Sequence, residues 1–231
     1  MRRQKVEGDL EKVPVEAAAI VLENATGRVL AIAGGKRVGL EGFVRATQAR
    51  RQPGSSFKPY VYAAALLAGR GQLDRVVDGP ISLPAGGGKW WTPRNYGGGY
   101  AGALPMRSAL ARSLNTVSVR LFLERGGAEI VRVARAMGVR TPLRSDPTIA
   151  LGSSEVTPLD HALGYATIAR MGVPTDPVWI DRLVDVRGQE VGRAGGTVTI
   201  AGRVVATLPG GPKSRALPPG VAYELADMMR G

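Results

Sequence analysis

Within Arg51-Gln52-Pro53-Gly54-Ser55-Ser56-Phe57-Lys58-Pro59 a serine stands three residues ahead of a lysine, and an apolar run from Tyr60 to Leu67 follows at once. The run reads as a buried helix closed by Gly69, and the Pro53-Gly54 pair halts the chain before it. A helix beginning at Ser55 puts Ser55 and Lys58 on one face at i and i+3. The hydroxyl then lies at a helix N-terminus, where free N–H groups and the positive end of the dipole favour a developing oxyanion. A lysine enclosed by apolar neighbours loses proton affinity and can take the proton of a nearby hydroxyl. The chemistry on offer is nucleophilic acyl transfer. Spacing excludes Ser56 as the nucleophile, because its partner three residues on is Pro59. The same spacing also suits a surface helix start with a serine cap and a solvated lysine, so other residues must decide.

Composition removes competing chemistries. The 231 residues include no cysteine and one histidine, which excludes thiolate nucleophiles, cysteine zinc sites, disulfides and multi-histidine metal sites. No metal and no cofactor is expected. His161 lies in a helix start with Thr157 as cap and Pro158 at the first position, and reads as structural; Glu155, beside the same capped start, reads likewise. The net charge of +12 suits an anionic partner: wall polymer, acidic membrane surface or nucleic acid. The arginines are scattered and aromatics make up only 5%, which argues against a base-stacking surface, so no nucleic acid is expected. No apolar run reaches the roughly 18 residues of a membrane span, and the first residues lead into charge rather than an export signal.

The elements that would position these residues follow from pattern. Residues 1–14 read as a linker or cut edge, and 15–35 as a β-hairpin turning at 24–28. The stretch 70–104 is rich in Gly and Pro; Gly86-Gly87-Gly88-Lys89 fails as a phosphate loop because Trp90 stands where Ser or Thr is needed. Helices are expected at 105–112, 116–124 and 128–137, with Ser113-Leu114-Asn115 between the first two. Another runs from the Thr157 cap to Gly172. Strands at 178–186 and 196–205, turning at Arg187-Gly188, form a small β excursion near 178–206, and a helix covers 218–229.

Four of these stretches resemble one family. The segment around Ser55 is similar to the nucleophile segment of class A penicillin-binding proteins, the bifunctional peptidoglycan synthases. Trp91-Thr92-Pro93-Arg94-Asn95-Tyr96 resembles their Trp-x-Pro-x-Asn-Tyr loop, Ser113-Leu114-Asn115 their second motif, and Ala150-Leu151-Gly152-Ser153-Ser154-Glu155-Val156-Thr157-Pro158 a further shared segment. The resemblance implies an α/β (α+β type) transpeptidase fold over 15–231, incomplete, with the helical subdomain and the first hairpin of the central antiparallel sheet. It implies a D,D-transpeptidase in which Ser55 attacks, Lys58 is base, Ser113 relays protons and Asn115 binds the substrate amide and steadies Lys58. Trp91, Asn95 and Tyr96 would bind substrate. The implied partners are peptidoglycan stem peptides ending D-Ala-D-Ala, and β-lactams, in the periplasm or extracytoplasmic envelope.

One expected part is missing. The family's third motif, Lys-Thr-Gly or Lys-Ser-Gly, has no counterpart; Lys213-Ser214-Arg215 fails at the glycine. Its strand supplies an oxyanion donor, and losing one costs about a hundred- to a thousandfold in rate. The chain is therefore expected to be a fragment or one piece of a split domain, with the rest as a second chain. It should also be a marginal fold with an open sheet edge at 15–35. The alternative is a catalytically inactive wall-binding or scaffold module built on the same domain.

Overall fold

The apolar run after Pro59 has no polar face to show to water, and the structure is organised around hiding it. The computed structural model describes residues 16–35, 42–211 and 213–231. In chain order, β1 (Ala19–Leu22) and β2 (Val29–Ala33) form an antiparallel hairpin, followed by α1 (Arg45–Gln48), a 3₁₀ turn (Gly54–Phe57) and α2 (Lys58–Leu67). Next come β3 (Arg75–Asp78), β4 (Leu83–Pro84), β5 (Trp90–Trp91) and β6 (Gly102–Pro105), then α3 (Met106–Ala111), α4 (Asn115–Arg125) and α5 (Gly127–Ala136). A second 3₁₀ turn (Pro147–Leu151) precedes α6 (Pro158–Ala169); β7 (Arg182–Val184), β8 (Glu190–Arg193), β9 (Thr197–Ile200), β10 (Arg203–Thr207) and α7 (Pro219–Met228) complete the order.

Every residue of α2 from Lys58 to Leu66 is buried, and α4, α5 and α7 pack around it. A helix this apolar belongs at the centre of a bundle, where its neighbours replace water on all sides. Tyr60, Val61 and Tyr62 are fully enclosed, and so are Leu121, Ile130, Ala134 and Leu225 from the surrounding helices. Asp146 and Thr157 cap their turns through Thr148 N and Asp160 N, so the expected Thr157 start of α6 is present.

The strands are paired two by two among the described residues: β1 with β2, β3 with β6, β4 with β5, β7 with β8 and β9 with β10. The hairpin β1–β2 leaves Val21, Leu30 and Ile32 exposed. Helices outnumber sheets around the core, and the fold class is the expected mixture of a helical subdomain with a partial sheet.

Three expectations change. The helix does not begin at Ser55; Gly54–Phe57 make a 3₁₀ turn that runs straight into α2. The β excursion is two hairpins rather than two strands, because Ala201 and Gly202, both at positive φ, break the second stretch into β9 and β10. The Gly- and Pro-rich stretch contains the ordered β3–β6 pair, whose four residues per strand are too short for a pattern to stand out. Residues 1–14 lie outside the described residues. Among those described, no helix is long and apolar enough to cross a membrane, and no group of His, Cys, Asp and Glu is arranged to hold a metal.

Candidate active site

The turn that carries Ser55 is held from two sides. Gly54 adopts φ +58, a left-handed conformation that glycine takes without strain. Its N–H donates to Gly152 O at 3.2 Å, and Arg51 and Val156 exchange both backbone hydrogen bonds at 3.0 Å. The approach is close enough that a Cβ on Gly152 would lie 2.0 Å from Gly54 O.

Ser56 anchors the other side. Its hydroxyl donates to Pro53 O at 2.7 Å and lies 2.9 Å from His161 Nε2, while its carbonyl accepts from the Tyr165 hydroxyl at 2.8 Å. With the Ser56 proton on Pro53 O, His161 Nε2 is the donor and Nδ1 the acceptor, and Nδ1 faces the Tyr60 hydroxyl at 3.2 Å. Burial lowers the His161 pKa, which keeps this arrangement neutral. The one histidine therefore clamps the turn. Ser55 itself is exposed, and its hydroxyl makes no hydrogen bond within the described residues.

Lys58 starts α2, and its backbone N–H donates to Ser55 O, so the two residues stack across one 3₁₀ turn. Only 1% of Lys58 is exposed. Desolvation by burial lowers its pKa to about 8. Its ammonium has three protons and three acceptors: Ser113 O at 2.6 Å, Ser113 Oγ at 2.9 Å and Asn115 Oδ1 at 2.7 Å. Ser113 can offer both oxygens because its backbone stands at φ 53, an uncommon left-handed conformation for serine that sits between the end of α3 and the start of α4.

Asn115 opens α4 and is fixed on three atoms. Beyond the Lys58 contact, Nδ2 donates to Arg94 O at 2.8 Å, and its backbone N–H donates to Asn95 Oδ1 at 2.8 Å. Asn95 thus caps α4 from the preceding loop, in place of a side-chain cap from Leu114. Its amide is saturated: Oδ1 also receives Thr116 N at 3.4 Å, and Nδ2 donates to Asp78 Oδ1 at 2.7 Å and Gly99 O at 3.2 Å. Asn95 is among the residues expected to bind substrate; its side-chain amide is buried, and its oxygen and nitrogen are already engaged within the protein. Trp91 is half-buried against the core, and Tyr96 is fully exposed on the same loop.

The structure thus joins Lys58, Ser113, Asn115 and Asn95 in one hydrogen-bonded group, with Ser55 one 3₁₀ turn ahead of Lys58; no hydrogen bond among the described residues links Trp91 or Tyr96 to that group. Two residues escaped the sequence reading. Gly152, one of the chain's 32 glycines, entered only as part of the Ala150–Pro158 segment and without a role, and Asp78, before Gly79-Pro80, carries no local signal of its own.

Comparison with known proteins gives one consistent answer. The family model for the penicillin binding protein transpeptidase domain matches residues 17–231. Penicillin-binding protein 1A of Neisseria flavescens is 39% identical over 178 residues, covering 76% of this chain and 22% of that protein. Penicillin-binding protein 1B of Vibrio cholerae is 37% identical over 178 residues, covering 75% and 23%. The chain thus spans less than a quarter of the length of these relatives. Among solved structures, penicillin-binding protein 1A from Haemophilus influenzae aligns with a TM-score of 0.80 at 27% identity, over 93% of this chain and 35% of that one. PonA1 from Mycobacterium tuberculosis in complex with penicillin V aligns with a TM-score of 0.77 at 26% identity, over 94% and 56%.

Proposed function

This chain belongs to the penicillin-binding protein transpeptidase family, of the class A kind, and on that premise we propose that it is a serine acyl-transferase acting on peptidoglycan stem peptides. The observation that carries the reading is the enclosed Lys58 amine, held by Ser113 and Asn115 with a pKa of about 8. A base of that strength is partly neutral near physiological pH, which is where general-base catalysis works best.

In the proposed reaction, neutral Lys58 removes the Ser55 hydroxyl proton as Ser55 Oγ attacks the penultimate D-Ala carbonyl of a stem peptide ending D-Ala-D-Ala. The tetrahedral oxyanion collapses, the peptide C–N bond breaks, and the leaving D-Ala amine takes a proton passed from the Lys58 ammonium through Ser113 Oγ. The Ser113 hydroxyl is suited to this because it can accept from Lys58 while donating outward. An amine from a neighbouring stem then attacks the ester and frees Ser55, giving a cross-link. A β-lactam opens on Ser55 in the same way but leaves no departing fragment, so the ester persists.

Residues 15–231 are read as part of one transpeptidase unit, with β7–β10 as its excursion. The polymer substrate places the protein on the extracytoplasmic side of the envelope. Of the residues expected to bind substrate, Tyr96 follows Asn95 and is fully exposed, which leaves its ring available to a stem peptide, whereas Trp91 packs partly against the core. The inactive-scaffold reading draws on one feature, the engagement of all three Lys58 ammonium protons away from Ser55. Acylation by a fluorescent penicillin separates the two readings. Labelling lost in both Ser55→Ala and Lys58→Met supports the enzyme, and no labelling of the folded chain supports the scaffold.

A further inference from the structure

We propose that Asp78, at the end of β3, is the positioning residue that fixes Asn115 and, through it, Lys58. The inference rests on the reading of Lys58 as the base and extends it to a residue that touches neither substrate nor nucleophile.

Asp78 is 1% exposed, and both of its oxygens are occupied. Oδ1 accepts from Asn95 Nδ2 at 2.7 Å and from the Thr116 hydroxyl, and Oδ2 accepts from Ala101 N at 2.7 Å. Burial by itself would raise its pKa, but the hydrogen bonds from Thr116, Asn95 and Ala101 outweigh it, and the carboxyl stays below its ordinary value. The charge is therefore present, and its three donors come from three different places. Asn95 and Ala101 lie in the loop between β5 and β6, and Thr116 lies in the first turn of α4.

That arrangement gives the carboxylate a specific task. Nothing in Leu114 caps α4, so the direction of its first turn depends on Asn95 Oδ1, which receives Asn115 N and Thr116 N. Asn95 can present Oδ1 there only if its amide nitrogen points the other way, toward an acceptor. Asp78 Oδ1 is that acceptor, with Gly99 O as the second. A flipped Asn95 would set its NH₂ against two N–H donors. The carboxylate thus selects the orientation of Asn95, Asn95 sets the backbone of Asn115, and Asn115 Oδ1 meets the Lys58 amine at 2.7 Å. Thr116 ties the same carboxylate to α4 directly.

The substitution Asp78→Asn keeps the shape and breaks the logic. Its amide must point an N–H either at Ala101 N–H or at the Asn95 amide, and both choices loosen the loop that caps Asn115. Hydrogen bonds to charged groups are strong enough that losing the Asn115 contact should lower the Lys58 titration midpoint by about one pH unit. The experiment is a ¹³C NMR titration of the lysine ε carbons in the 231-residue chain, with Lys58 assigned from Lys58→Met and folding checked by circular dichroism. Wild type should titrate at about 8. Folded Asp78→Asn should titrate about one pH unit lower. Met137→Ala, a wholly buried change just beyond α5, should lower the melting temperature and leave Lys58 unmoved.

A folded Asp78→Asn whose Lys58 midpoint stays within about 0.3 pH units of wild type overturns the inference. If Asp78→Asn does not fold, Asn95→Ala, which removes the side chain through which Asp78 acts on Asn115, decides: a lowered midpoint in the folded variant supports the positioning role and an unchanged one refutes it. A wild-type Lys58 that titrates at its ordinary value overturns the reading of Lys58 as base, and this inference with it. That result is distinct from a normal wild type with an unresponsive variant.

Discussion

Replacing Gly152 by alanine should cripple Ser55 from a distance, without touching any group that does chemistry. Gly152 stands at φ +72, where an alanine costs about 1 kcal/mol through its Cβ alone. The new methyl would lie 2.0 Å from Gly54 O and 2.6 Å from Gly54 N, whereas ordinary contact begins near 3.4 Å. Both atoms are backbone, so no side chain can swing aside. Relief requires the Gly54 segment to move by more than an ångström, and Ser55 is the next residue. Overpacking of this kind costs about 1–3 kcal/mol. Added to the backbone cost, this lowers the melting temperature of a chain this size by roughly 5–15 °C. A misplacement of about 1 Å at a reacting group costs about a hundredfold in rate. The assay is the second-order rate of penicillin acylation, measured beside the melting temperature. Gly69→Ala is the control: it carries the same φ penalty at +90 with nothing within 4 Å, and should melt slightly lower with an unchanged acylation rate. Acylation of Gly152→Ala within about threefold of wild type would refute the argument that this glycine holds the nucleophile turn.

Other outcomes follow from the same geometry. Acylation should rise with pH through a midpoint of about 8, because only neutral Lys58 can accept the Ser55 proton, and Lys58→Arg should abolish it, since a guanidinium does not deprotonate; a flat profile from pH 6 to 10 would contradict this. Lys58 also couples stability to pH. Its folded pKa lies below the unfolded value of 10.5, so the unfolded chain binds the extra proton between about 8 and 10.5, and Lys58's contribution to stability rises with pH across that window. The contribution is about 3 kcal/mol at most and should be missing in Lys58→Met, as denaturant midpoints at pH 7 and 10 would reveal. Ser56→Ala removes the donor to Pro53 O and the acceptor for His161, which should cost about 1–2 kcal/mol while the penicillin adduct still forms; loss of the adduct in a folded variant would reopen the choice of nucleophile.

The parts of the site that local spacing can encode were readable in the sequence. Ser55 and Lys58 are three residues apart, so a single turn relates them, and the apolar run after Pro59 announced its own burial. The Thr157 cap and the last helix were readable for the same reason. Ser113 and Asn115 came from resemblance to known motifs rather than from pattern, because their meeting with Lys58 spans 55 and 57 residues. Asp78 and Gly152 were not readable. An aspartate before Gly-Pro looks like any turn residue until Asn95 and Thr116, 17 and 38 residues further on, are seen donating to it. A glycine in a loop gives no sign that another backbone lies against its Cα. The two hairpins of the β excursion were misjudged because positive φ at Ala201, a residue that seldom adopts it, is set by the turn and not by its own preference.

The central claim is that Ser55, activated by Lys58, is an acylating nucleophile. The most direct test is the intact mass of this chain after incubation with benzylpenicillin, beside Ser55→Ala. The account predicts a single penicilloyl adduct on the wild type and none on the variant. A folded wild-type chain that gains no mass, or a Ser55→Ala variant that gains the same mass, would contradict it.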